Sequence, residues 1–145
     1  MKFIGTKLNM EQMWKNDCAF GVTLVRLEKG DIAAFKEDEV LKISGISKGK
    51  GFQGVVKRHG FHGGPKTHGQ KNRLRMPGSI GSTAPQRVIP GRRMAGHIGM
   101  ERVTVKNLTL VAIEPDKKIL KILGAVPGNR GSRVEIYKQP PAASH

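Results

Sequence analysis

The sequence predicts a mainly β fold: a small antiparallel six-stranded barrel carrying a long basic extension loop rich in glycine and proline. Three observations predict it. Short β-branched runs bounded by turn residues occupy both ends of the chain, glycine and proline crowd its middle, and no acidic residue enters that middle. With 145 residues the chain suits a single compact core.

Taken in order, residues 10–14 suggest one helical turn. Residues 21–27 (Gly-Val-Thr-Leu-Val-Arg-Leu) and 40–46 (Val-Leu-Lys-Ile-Ser-Gly-Ile) read as strands. Three more runs follow the middle stretch, at 102–105, 108–113 and 119–123. The last two are separated by Glu114-Pro115-Asp116-Lys117-Lys118, a turn cluster short enough for a hairpin. Val126-Pro127-Gly128-Asn129 marks another turn, and residues 133–137 the final strand. About six short strands in roughly 90 residues fit a closed antiparallel barrel. Trp14 and Tyr137, the only Trp and Tyr, are expected in the core or at the barrel rim. The expected organisation is a discontinuous barrel domain, residues 1–46 and 101–138, an extension over 47–100, and a disordered tail over 139–145.

From residue 47 to 100 the chain holds 12 of its 19 glycines, with Pro65, Pro77, Pro85 and Pro90 between them. Glycine raises the backbone entropy cost of regular structure and proline removes a donor, so a long helix or central strand is excluded. Phe52, Phe61, Met76 and Ile80 are too scattered to build a private core. Such a segment is expected to order only against its partner.

Charge identifies that partner's chemistry. Lys and Arg number 26 against 11 acidic residues, a net charge of +15 that repels itself unless a polyanion neutralises it. All 11 acids lie outside residues 40–100, where 12 Lys and Arg stand alone. Ordinary solvated surfaces mix the signs, so this stretch is built for an anion. A membrane is disfavoured, because no apolar run approaches a bilayer's thickness and no Lys-rich stretch has an amphipathic helical face. Lys7, Glu11 and Lys15 interrupt any secretory signal, and the single Cys18 can form neither an internal disulfide nor a cysteine zinc site. A reducing compartment is expected: the cytosol, or an organelle matrix.

Several motifs invite sharper readings. Gly49-Lys50-Gly51-Phe52-Gln53-Gly54 has the glycine spacing of a dinucleotide fingerprint, but that motif needs a parallel βαβ unit, a following helix and an acid about 20 residues on. No acid occurs before Glu101, and no helix is expected after Gly54. The glycines instead let the main chain approach phosphates while Lys48, Lys50 and Lys57 supply charge. His59, His62 and His68 cluster without a carboxylate or thiol and among cations, which opposes a metal. They suit stacking on bases or bonding to 2′-hydroxyls. No acid is available to orient any of them for catalysis, and Cys18 lies far off, so neither an enzyme nor a cofactor is expected. The expected RNA-binding residues are Lys48, Lys50, Lys57, Arg58, His59, His62, Lys66, His68, Lys71, Arg73, Arg75, Arg87, Arg92 and Arg93.

Longer motifs carry a family resemblance. Residues 46–58 (Ile-Ser-Lys-Gly-Lys-Gly-Phe-Gln-Gly-Val-Val-Lys-Arg), Thr67-His68-Gly69 and Met76-Pro77-Gly78-Ser79-Ile80-Gly81 resemble the ribosomal protein L3 family. So do Arg92-Arg93-Met94-Ala95-Gly96, residues 101–108 and residues 121–128. The match runs from about Val40 to Tyr137, and residues 4–10 look like the family's opening strand and turn. The resemblance implies a barrel of the translation-protein type on the large ribosomal subunit, with its loop threading through ribosomal RNA towards the peptidyl transferase centre. It further implies a role in subunit assembly, and large-subunit ribosomal RNA and neighbouring ribosomal proteins as partners. Two departures stand out. Only residues 28–39 separate Leu27 from Val40, where family members usually carry an inserted subdomain. Ser82 follows Gly81 where some members have a methylated glutamine, so that modification is not expected. The competing reading is a free-standing basic protein, an RNA chaperone or DNA-compacting factor, which the charge alone would equally permit.

Overall fold

The computed structural model describes residues 2–15 and 17–139. The chain divides into two units, one comprising Met1–Lys48 with Met100–His145, the other Gly49–Gly99.

The first unit is a closed antiparallel barrel of β1 (Lys2–Lys15), β2 (Cys18–Lys29), β3 (Val40–Ile46), β6 (Arg102–Glu114), β7 (Ile119–Leu123) and β8 (Arg133–Lys138). Around the ring the order is β1-β2-β7-β6-β3-β8. Closure falls to β8, which pairs with β1 from Lys2↔Tyr137 to Thr6↔Arg133 and with β3 from Leu41↔Lys138 to Gly45↔Val134. Alternation with period two sends Val25 and Leu27, Leu41 and Ile43, Leu120 and Ile122, and Val134 and Ile136 into one interior cluster. Burial of each such side chain contributes roughly 1.5–3 kcal/mol. Phe35, just beyond a short 3-10 turn at Ile32–Ala34, plugs the same cluster and meets the Phe3 ring at 4.5 Å.

Two glycines make the barrel's tight places possible. A Cβ at Gly5 would lie 2.7 Å from the Arg26 carbonyl oxygen and 2.8 Å from Val25 Cγ1. Gly128 has φ +97°, and a Cβ there would strike Ser132 Oγ at 2.2 Å. The turn so formed presents carbonyls to Lys7. That side chain is almost fully buried and donates to the Val126 oxygen at 2.6 Å and the Gly128 oxygen at 2.9 Å. Desolvation, and secondarily the Lys48 charge, hold its pKa below the ordinary 10.5.

Several expectations are corrected. Residues 10–14 form no helical turn but continue β1, paired from Met10↔Thr23 to Trp14↔Ala19. Asp17, at φ 59°, turns the chain into a hairpin, and cross-strand pairing overrides local helix propensity. Trp14, expected in the core or rim, is 69 % exposed on that hairpin. The runs 102–105 and 108–113 are one strand: Asn107, at φ 58°, lies inside β6, where its pairing with β3 shifts register. One strand lost by merging and one gained at the start keep the number at six. Of the expected disordered tail, Gln139 donates its backbone N–H to the Val40 oxygen at 3.1 Å, and residues 140–145 lie outside the described residues.

The second unit contains β4 (Phe52–Gln53), α1 (Val55–His59) and β5 (Gly96–His97). A helix therefore does follow Gly54, contrary to expectation. It has only five residues, and its flanking strands pair antiparallel, Phe52↔His97 and Gln53↔Gly96, so no dinucleotide-binding unit results. Val55 is the only large apolar side chain buried here, in keeping with the absence of a private core.

Candidate nucleic-acid interface

The second unit is organised by main-chain bonds between its two ends. Lys50 N–H donates to the Ile98 oxygen at 3.0 Å, and Ile98 N–H returns to the Gly51 oxygen at 3.1 Å. Immediately beyond, α1 ends on Gly60, whose left-handed backbone (φ 72°) lets its N–H bond to the Val56 oxygen. The helix thereby aims two adjacent side chains at the returning chain. Arg58 Nη1 donates to the Met94 oxygen at 2.7 Å, and His59 Nε2 donates to the same oxygen at 3.0 Å. A carbonyl oxygen only accepts, so Nε2 is the donor in this contact.

Of the fourteen residues expected to bind RNA, thirteen lie in this unit and Lys48 closes the first segment of the barrel unit. Arg58 and His59 are half-buried and occupied with Met94, whereas the other twelve are exposed. Arg92 also donates to the Ser79 oxygen at 2.6 Å, bridging two arms of the loop. Lys66, His68, Lys71 and Leu74 line one open hollow, while His62 and Arg73 line another with Phe61 and Met76. The histidines are thus spread over separate places. Among the described residues, no group of three or more His, Cys, Asp or Glu is placed to hold a metal ion.

The electrostatics of the units differ. In the barrel unit Lys2 and Arg102 pair with Glu135, Lys121 with Glu114, and Lys138 with Glu39. Gly49–Gly99 contains ten Lys and Arg and no carboxylate. These cations have no internal anion to neutralise them, which is the arrangement a phosphate backbone requires.

Comparison with known proteins decides the lineage. The family model for ribosomal protein L3 matches residues 22–135, most of the chain. The chain belongs to the ribosomal protein L3 family. Its similarity to the large ribosomal subunit protein uL3 of Chlorobium limicola is 54 % identity over 114 residues, covering 76 % of this chain and 54 % of that protein. The uL3 of Chloroherpeton thalassium is 52 % identical over 114 residues, covering 76 % and 55 %, and that of Dehalococcoides mccartyi (strain CBDB1) 49 % over 108 residues, covering 74 % and 53 %. The chain thus spans about half the length of the curated relatives it matches. The L3 match takes in the whole second unit and strands β3, β6 and β7, whereas β1 lies outside it.

Two side chains escaped the sequence reading. Phe52 is 75 % exposed, and His97, its cross-strand partner, is also exposed. Phe52 lies within a basic Gly-rich motif, a signal that could have singled it out. His97 carried none, because its place beside Phe52 depends on a pairing 45 residues away along the chain.

Proposed function

We propose that the chain is a structural constituent of the large ribosomal subunit and not an enzyme. It binds large-subunit ribosomal RNA through the extension, supports subunit assembly and buttresses the peptidyl transferase centre. Its protein partners are its neighbours in that subunit, in the cytoplasm or in an organelle matrix. One observation carries the reading: an L3-family chain presents, over Gly49–Gly99, ten cations unrelieved by a single carboxylate. Phosphates fit that field, and the glycines allow close main-chain approach. The role is one of anchoring, since phosphate contacts position a protein on RNA without supplying a reacting group.

Sedimentation of cell lysate at high magnesium tests it. The protein should travel with large subunits. Recovery with bulk DNA, or free at the top of the gradient, would instead favour the DNA-compacting or RNA-chaperone reading.

A further inference from the structure

We propose that Phe52, with His97 beside it, forms a stacking platform for one unpaired nucleobase, an inference that rests on the RNA-binding reading above. With 75 % of its surface open, Phe52 is the most exposed large apolar side chain among the described residues. Exposure on a loose loop would mean little. Here the ring stands on a ribbon pinned by the Lys50–Ile98 and Ile98–Gly51 main-chain bonds, with the Gln53 side chain bonded back to the Lys50 oxygen. The main chain on either side is open as well, since a Cβ at Gly51 or Gly54 would meet nothing within 4 Å. His97 is directly opposite across the ribbon, and cross-strand partners share a face. Among the described residues neither ring packs against another ring. Two flat rings thus stand open to solvent on a main chain that is already ordered, which leaves only their side-chain torsions to be fixed on binding.

Charge selects the occupant. Lys50 and Lys57 flank the platform in sequence, and no carboxylate occurs anywhere in Gly49–Gly99. A polyanion that also offers an apolar ring face is a nucleic acid, and an A-form duplex hides those faces, so the base must be unpaired. Trp14 provides the contrast. It is nearly as exposed, yet it shares its hairpin with Glu11 and Asp17, which repel phosphates.

The test uses the full chain and two probes, a short single-stranded oligoadenylate and an RNA duplex of matching charge. Phe52→Leu keeps an apolar side chain and removes the π face. It should bind oligoadenylate about tenfold more weakly while binding the duplex normally and keeping the same salt dependence. Phe52→Trp in a Trp14→Phe background should bind as tightly as the parent, with its emission quenched as oligoadenylate saturates. Unchanged oligoadenylate affinity in Phe52→Leu, or unaltered Phe52→Trp emission at saturation, overturns the platform and leaves RNA binding intact. Failure of the wild-type chain to bind either RNA overturns both readings.

Discussion

Lys7 Nζ lies 2.9 Å from the carbonyl oxygen of Gly128, a residue 121 positions further along the chain. With its second bond, to the Val126 oxygen, this buried ammonium fastens the turn before β8 to the inside of β1. Lys7→Met keeps the stem and removes the donors. Leaving buried carbonyls unsatisfied should destabilise the fold by about 2–3 kcal/mol, measured by urea unfolding. The pH dependence has a definite sign. Because the folded pKa is depressed, the unfolded chain binds more protons between that value and 10.5. Wild-type stability relative to Lys7→Met should therefore rise with pH through that interval and level off on either side.

The same sign holds for Glu135, at acid pH. Its bond from Lys2, with help from Tyr137 and Arg102 and against desolvation, holds the carboxyl below its ordinary 4.5. The associated stability is complete above 4.5 and is lost as pH falls through the folded pKa. Glu135→Gln should be less stable at neutral pH, and acid titration followed by circular dichroism should show the two proteins converging as pH drops. A constant gap down to low pH would mean that these ion pairs contribute nothing.

RNA affinity should fall steeply with salt. Neutralising about 6 phosphates gives a log-log slope near −4 to −5, at roughly 0.7–0.9 per phosphate. A slope near zero in filter binding would show that the extension is not the contact surface.

Deleting residues 66–92 removes Lys66, Lys71, Arg73, Arg75, Arg87 and Arg92 without touching a barrel strand. Thermal unfolding should move by no more than a few degrees, because a shorter connection costs less to close. The salt slope should become several units shallower, and large subunits reconstituted with the variant should assemble slowly or form peptide bonds poorly. Normal assembly and peptide synthesis would make the segment dispensable.

Much of the fold was legible in the sequence because it rests on local signals. The short β-branched runs at residues 40–46, 119–123 and 133–137 and the Glu114 to Lys118 turn all reappear at nearly the expected bounds. What escaped depended on pairing. Residues 10–14 contain good helix formers and become strand only because residues 19–23 lie opposite. Asn107 looked like a break between two strands and is instead an irregularity within one. For the interface, charge exclusion was visible directly, since it is a property of composition. That Arg58 and His59 would share the Met94 oxygen was not, because no local pattern links residues 35 and 36 positions apart.

The ring order also sets a timetable for synthesis. Apart from the β1–β2 hairpin, every pairing in the barrel waits for residues beyond 101: β3 finds both of its partners, β6 and β8, only after all of Gly49–Gly99 has been made. A nascent chain therefore exposes Leu41 and Ile43 on an unpaired strand while the cationic segment is already emerging. Such long-range closure is slow and leaves edges open to wrong partners. An early hold on RNA by that segment would keep the half-made protein dispersed until its last strand arrives.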